Sequence, residues 1–195
     1  MATYKVGYFV GSLSSTSINR ELSKALIRLA PDDLEFTEIP IGNLPLYNRD
    51  FDTAYPPEAV ELKEAIHRSQ ALLFVTPEYN RSIPGALKNA IDWASRPWGQ
   101  NAFDHIPAAV IGASIGQIGT ALAQQSLRGV LSFCNARQMT APEAYIQYTP
   151  ELFPGDGAVT DPGTASFLSA YMSEFREHIM RVLTVLPREA GVPAA

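Results

Sequence analysis

The chain has 195 residues, 46% of them hydrophobic and 18% charged, with a formal net charge of −5 at pH 7. That length suits one well-filled core rather than two domains, and no apolar run approaches the ~18 residues that cross a bilayer, so a membrane-inserted protein is not expected. The acidic balance and scattered arginines argue against nucleic acid and anionic membranes as partners.

A single cysteine, Cys134, forms no internal disulfide, which fits a reducing cytoplasm, and with three histidines it supplies too few ligands for a Cys/His metal site. No metal ligand is assigned. The opening MATYKVGYFVG lacks a signal-peptide pattern and reads as a first strand.

In chain order, Tyr4 to Val10 is a nearly continuous apolar run ending at Gly11, the pattern of a strand buried on both faces of a parallel sheet. From Ser17, a candidate cap, Ile18, Leu22, Ala25, Leu26 and Leu29 recur at helical spacing until Pro31. Leu34 to Ile39 predicts strand 2, followed by a long Pro- and Asn-containing connection from Pro40 to Pro57 that carries Leu44, Leu46, Tyr47 and Phe51. Such a connection is usually functional or covers something; it either folds onto its own domain or meets a partner.

Pro57 opens helix 2, Ala71 to Thr76 predicts strand 3, Pro84 opens helix 3, and Ile106 to Ala113 predicts strand 4. A fourth helix is expected over Gly119 to Phe133, a short strand near Gln138 to Thr140, and a final amphipathic helix through Phe167, Tyr171, Phe175, Ile179 and Leu186. Five strands alternating with five helices predict a doubly wound, three-layer α/β fold with ligands at the carboxyl ends of the strands. Residues 1–187 make one domain, and the small, aperiodic stretch 188–195 reads as a flexible tail.

Between strand 1 and helix 1 the chain reads Gly11-Ser12-Leu13-Ser14-Ser15-Thr16-Ser17-Ile18-Asn19, five hydroxyls and one amide at a helix N-terminus. Free backbone N–H groups and the positive end of the helix dipole converge there, so a phosphate can be held by neutral donors. An ordinary capped turn is the plain alternative. Neither G-x-G-x-x-G nor G-x-x-x-x-G-K-[ST] occurs in this loop, which favours a monophosphate ester over a dinucleotide or nucleoside triphosphate.

Strand 3 runs into Thr76-Pro77-Glu78-Tyr79-Asn80-Arg81-Ser82-Ile83-Pro84-Gly85-Ala86-Leu87-Lys88-Asn89-Ala90-Ile91-Asp92-Trp93-Ala94-Ser95-Arg96. This run resembles the signature of the NADPH-dependent FMN reductase family, which includes flavodoxin-like quinone, azo and chromate reductases. The phosphate loop is similar to the family's G-S-x-R-x-x-S-x-N, and the likeness extends from Tyr4 to about Leu186.

The resemblance implies a flavodoxin-like sheet of order 2-1-3-4-5 with FMN at the carboxyl ends of strands 1 and 3. It places Ser12, Ser14, Ser17, Ile18 and Asn19 on the phosphate, with Ser14 standing where the family has arginine. Pro77, Glu78, Tyr79, Asn80 and Ser82 would surround the ring. Ser114-Ile115-Gly116-Gln117-Ile118-Gly119 matches the family's S-x-G-x-x-G, adding Ser114 and Gly116. Lys88, Asn89 and Asp92 read as structural, and Arg81 is either a solvent-exposed side chain or a cation for the phosphates of the nicotinamide dinucleotide.

The implied chemistry is hydride transfer from NADPH or NADH through flavin N5 to a small acceptor in a ping-pong cycle, with no catalytic side chain assigned. Homodimers or homotetramers are implied as well. Two rivals stand beside this reading: a flavodoxin-like electron carrier, and a serine hydrolase. The latter rests on Gly112-Ala113-Ser114-Ile115-Gly116, which satisfies G-x-S-x-G, with Asp161 and His178 downstream.

Overall fold

The computed structural model describes residues 3–188, 190 and 191. Its elements are β1 (Tyr4–Val10), α1 (Ile18–Leu29), β2 (Leu34–Glu38), a 3-10 turn (Arg49–Thr53), α2 (Pro57–His67), β3 (Ala71–Val75), α3 (Gly85–Ala94), β4 (Pro107–Ser114), α4 (Ala121–Phe133), β5 (Arg137–Gln138), β6 (Tyr145–Gln147) and α5 (Pro162–Val185). The parallel sheet runs β2-β1-β3-β4-β5, the expected order, with β6 also beside β4.

That sixth strand corrects the expectation of five. β5 pairs with the start of β4 at Pro107 and Ala108, whereas β6 pairs with its end at Gly112 to Ser114. The fifth position is therefore filled by two short pieces, well below the usual strand length of ~5–6 residues. In β6 only Ile146 is buried, so the segment carries no run that distinguishes it from a loop.

Every residue of β3 is buried, and neighbouring side chains leave on opposite faces of the sheet. Leu72 and Phe74 enter a core with α2, α3 and α4, where Leu62, Ile66, Leu87, Ile91, Trp93, Leu127 and Leu131 pack. Leu73 and Val75 enter the other, formed with Leu22 and Leu26 of α1 and Leu168, Tyr171, Met172, Phe175 and Ile179 of α5. Those five residues of α5 are spaced to form one stripe, which is why so long a helix lies flat on the sheet. Tyr171 is fully buried, yet its hydroxyl donates to Val110 O at 2.9 Å, so its polar atom is satisfied.

The long connection 40–57 folds onto its own domain along α3. Pro45 O accepts from Asn89 Nδ2 at 2.9 Å and from Trp93 Nε1 at 2.7 Å, and Asn89 Oδ1 accepts from the Tyr47 N–H at 2.8 Å. Tyr47 and Tyr55 stand edge-on to the Trp93 ring, each with centroids 5.1 Å apart. Arg96 pairs with Asp52, and the Tyr47 hydroxyl bridges them. Asn89 and Trp93 of the long signature thus fasten a loop, and Lys88 and Asp92 pair with each other along the helix at 2.7 Å. Near the C-terminus, Arg188 Nε donates to Ser69 O at 3.2 Å and the Gly191 N–H to His67 O at 2.7 Å; residue 189 and residues 192–195 of the expected tail lie outside the described residues.

Candidate functional site

Three loops leave the sheet at one level. Val10 of β1 is level with Val75 of β3, which is level with Ile111 of β4. The ladder continues past the strands, since the Gly11 N–H donates to Val75 O at 2.9 Å and the Thr76 N–H to Ile111 O at 3.0 Å. With strands ~4.8 Å apart, the loops after β1, β3 and β4 line one crevice about 10 Å across. β1 and β3 bound the point where the connections turn to opposite faces, the ligand position of doubly wound sheets.

The first loop is organised by its own hydroxyls. Ser12 Oγ accepts from the Ser14 N–H at 3.3 Å, Ser14 Oγ accepts from the Thr16 N–H at 3.2 Å, and Ser17 Oγ caps α1 by accepting from the Arg20 N–H at 3.3 Å. Ser17 O takes the N–H groups of Arg20 and Glu21, and those of Ile18 and Asn19 have no partner among the described residues. Two free donors at a helix N-terminus beside a row of hydroxyls suit a phosphate. Arg20 is not available as a cation: it grips Glu38 with two bonds of 2.7 and 2.9 Å, and this hydrogen bonding holds the Glu38 carboxyl below its usual range.

The Asn19 side chain is engaged within the fold. Its amide is completely buried and exchanges two 2.9 Å bonds with the backbone of Ala113, donating to the carbonyl and accepting from the N–H. The side chain is a strap between α1 and β4, and only the backbone N–H remains for an anion. Ser14, in the place of the family arginine, accepts from the Thr16 N–H within the loop and keeps a hydroxyl hydrogen to donate.

The second loop turns sharply. Tyr79 and Ser82 exchange both backbone bonds, at 2.9 and 3.0 Å, around Asn80 at φ 51° and Arg81 at φ 65°, a type I′ geometry. The turn leaves the Tyr79 side chain 50% exposed, and Ser82 Oγ lies 3.0 Å from Ser126 Oγ of α4.

Glu78 aims its carboxylate at the first turn of α4. Oε2 accepts from the N–H groups of Leu122 and Ala123 at 3.1 and 3.2 Å, a capping role that Thr120 at the N-cap leaves unfilled. Glu78→Ala is expected to lower stability by about 1–2 kcal/mol, the loss of a charged cap at a helix N-terminus. Glu78→Gln, which keeps an acceptor oxygen, should lose roughly half of that in urea unfolding; equal losses would show that the cap is not what Glu78 contributes.

In the third loop Ser114 Oγ accepts from the Gly116 N–H at 3.2 Å. Gly119, at φ 58°, has no room for a side chain, because a Cβ would stand 2.8 Å from the carbonyl carbon of Tyr145. Above Gly116 there is room: a Cβ there would meet nothing nearer than Ser114 Oγ at 3.6 Å. The hydrolase triad does not assemble. Asp161 caps α5 by accepting from the Thr164 N–H at 2.7 Å, while His178 lies seventeen residues further along the same helix, roughly 25 Å away. There His178 Nε2 sits 2.7 Å from Arg137 O, and burial lowers its pKa.

Free N–H donors ringed by hydroxyls, an exposed tyrosine and open space over Gly116 together fit a phosphate ester that carries a flat ring. The profile of the NADPH-dependent FMN reductase family matches residues 4–151. The chain belongs to that family. Among its relatives, a 2-hydroxy-1,4-benzoquinone reductase of a Burkholderia species is 45% identical over 88% of this chain and 93% of its own. A quinone reductase of Pseudomonas putida is 47% identical over 88% and 92%. Of solved structures, the flavoenzyme NAD(P)H:(acceptor) oxidoreductase FerB of Paracoccus denitrificans superposes with a TM-score of 0.89 at 47% identity, covering 92% of this chain and 98% of FerB.

The S-x-x-S-x-N pattern located the first loop, and T-P-E-Y-N the second. No sequence signal marked Ser126, Leu122 or Ala123 of α4 as the supports of the second loop, because each contact joins residues 44 or 45 positions apart with no repeating pattern between them.

Proposed function

We propose that the protein is an FMN-dependent NAD(P)H oxidoreductase that reduces quinone-like or similar small acceptors. The observation that carries this reading is the pair of N–H groups of Ile18 and Asn19, without a partner among the described residues and set among hydroxyls at the β1/β3 switch point and beside the Tyr79–Ser82 turn. Ser12, Ser14 and Ser17 with those two N–H groups hold the phosphate. The backbone of Pro77, Glu78 and Asn80, the flat side of Tyr79, Ser82, Ser114 and the space above Gly116 receive the ring. FMN, when bound, supplies a hydride acceptor at N5 and passes electrons on to the second substrate.

The protein's own part is to position. Tyr79 and the Ser114–Gly119 loop flank the place where a ring stacks, and donor and acceptor take turns there. No side chain of the crevice is required as a general base.

The same reading includes a homo-oligomer in the cytoplasm. Trp98 and Phe133 are each 80% exposed and line a cleft of about 600 Å³ with Tyr47 and Arg96, an apolar surface of the kind a second copy covers. Cys134 beside it is buried, and burial raises its thiol pKa, in keeping with a free cysteine that stays protonated. Among the described residues no helix is long and apolar enough to cross a membrane.

An anaerobic absorption titration of the purified protein tests the reading. A yellow protein should bleach on addition of NADPH or NADH and recover colour with benzoquinone. A colourless protein that takes up no added FMN would refute the proposal, and a flavin inert to both dinucleotides would favour an electron carrier.

A further inference from the structure

Arg81 occupies a place that its side chain does not favour. It is the second central residue of the Tyr79–Ser82 turn at φ 65°, following Asn80 at 51°, and that second place is where glycine is the low-energy choice. Asparagine tolerates the left-handed well through its short polar side chain, whereas arginine gains nothing there and is strained.

Among the described residues, a surface ion pair is the one side-chain contact set against that strain. The Arg81 side chain is 68% exposed, and its one ion pair, Nη1 to Glu78 Oε1 at 3.3 Å, is of the surface kind that adds little stability. What the pair does is orient. Glu78 is itself anchored through Oε2 to the Leu122 and Ala123 N–H groups, so the guanidinium is braced at the tip of the loop by a fixed carboxylate.

Charge makes the position consequential. Across the crevice loops 11–19, 76–84 and 114–120, Arg81 is the sole lysine or arginine, in a chain of net charge −5. Arg20, in the first turn of α1, and Lys88, in the first turn of α3, are paired with Glu38 and Asp92. A nicotinamide dinucleotide carries two pyrophosphate charges, and NADPH a ribose 2′-phosphate as well. An acidic protein repels such a donor unless a local cation receives it, and a guanidinium matches phosphate oxygens bidentately.

We propose that Arg81 is a specificity-determining residue that holds a phosphate of the nicotinamide dinucleotide at the mouth of the crevice. The inference rests on the reading of the crevice as an FMN and NAD(P)H site, and it goes further by naming the group that receives the donor. Backbone strain is retained at this turn because the side chain it displays is used in binding.

The test compares the FMN-loaded wild type with Arg81→Gly and Arg81→Lys. Arg81→Gly should raise KM for the dinucleotide about tenfold, as expected for the loss of one charge-assisted contact. The dissociation constants of NADP+ and NAD+, titrated against the flavin absorbance, should rise in step. FMN content should be unchanged and the thermal midpoint equal or higher, since glycine relieves the left-handed strain, and Arg81→Lys should recover part of the affinity.

Weakening confined to NADPH and NADP+ would support the proposal and place Arg81 on the 2′-phosphate. Equal weakening of both dinucleotides would support it and place Arg81 on the pyrophosphate. Unchanged KM values and dissociation constants for both in Arg81→Gly would overturn it while leaving the FMN site standing. A wild-type protein that takes up no FMN would overturn the functional reading and this proposal with it.

Discussion

Replacing Asn19 with alanine is expected to destabilise the fold by about 2–5 kcal/mol and to weaken FMN binding by more than tenfold. The first part follows from burial. The Asn19 amide satisfies both the N–H and the carbonyl of Ala113, at 2.9 Å each, in a place with no exposure to water. Truncation leaves two backbone groups unpaired in the interior, at ~1–3 kcal/mol each. The second part follows from position, because the strap ties the first turn of α1 to the end of β4 and so sets the free N–H groups of Ile18 and Asn19 against the other loops. Urea unfolding of the FMN-free protein and fluorescence titration with FMN separate the two. An Asn19→Ala protein of unchanged stability that binds FMN poorly would show that the amide acts on the phosphate directly and is not a strap.

The second large effect is expected at Gly112, in the last part of β4. A Cβ on this residue would stand 2.0 Å from Thr76 O and 2.3 Å from Thr120 Oγ1. Neither atom can withdraw easily. The Thr76 N–H is held by Ile111 O, its hydroxyl donates to Pro77 O at 2.9 Å, and Thr120 Oγ1 accepts from the buried Gln124 amide at 3.0 Å. Gly112→Ala must therefore push β3 and β4 apart where both enter the crevice. A loss of about 3 kcal/mol or more is expected, the upper range for overpacking, which lowers the melting temperature by roughly 6–12 °C for a chain of this size. Gly129→Ala in α4 is the control: a Cβ there meets nothing within 4 Å, and alanine should raise stability by about 0.5–1 kcal/mol in a helix interior. Similar melting temperatures for the two variants would mean that the sheet edge yields more readily than its hydrogen bonds suggest.

The crevice accordingly depends on contacts made behind it as well as on the groups that line it. Asn19 braces the phosphate loop from β4, Glu78 and Ser82 fasten the second loop to α4, and Gly112 lets the strands approach closely enough for the loops to share one opening. An Asn19 or Glu78 variant that loses cofactor is thus expected to report on scaffold as much as on contact, and the stability measurement tells the two apart.

The amino-acid sequence by itself determined the elements and their order. The continuous apolar runs of β1, β3 and β4 require burial on both faces, and that burial forces helices onto both sides of a parallel sheet. Ser17 and Pro57 sit at the starts of α1 and α2 because each satisfies or removes an orphan donor of its own first turn. These are local requirements, legible within one turn of helix or one strand. The loop motifs were legible for the same reason, as short runs of fixed spacing.

Tertiary structure alone decided where side chains went once those elements packed. Asn19 reaches 94 residues along the chain to Ala113, Glu78 some 45 residues to α4, and Asn89 and Trp93 more than 40 residues back to Pro45. It also split the fifth sheet position into β5 and β6, since three residues with one buried side chain become a strand only by lying against β4. A polar side chain offers the same donors and acceptors to a phosphate as to a backbone amide, and which of the two it meets is set by what the fold brings within 3 Å.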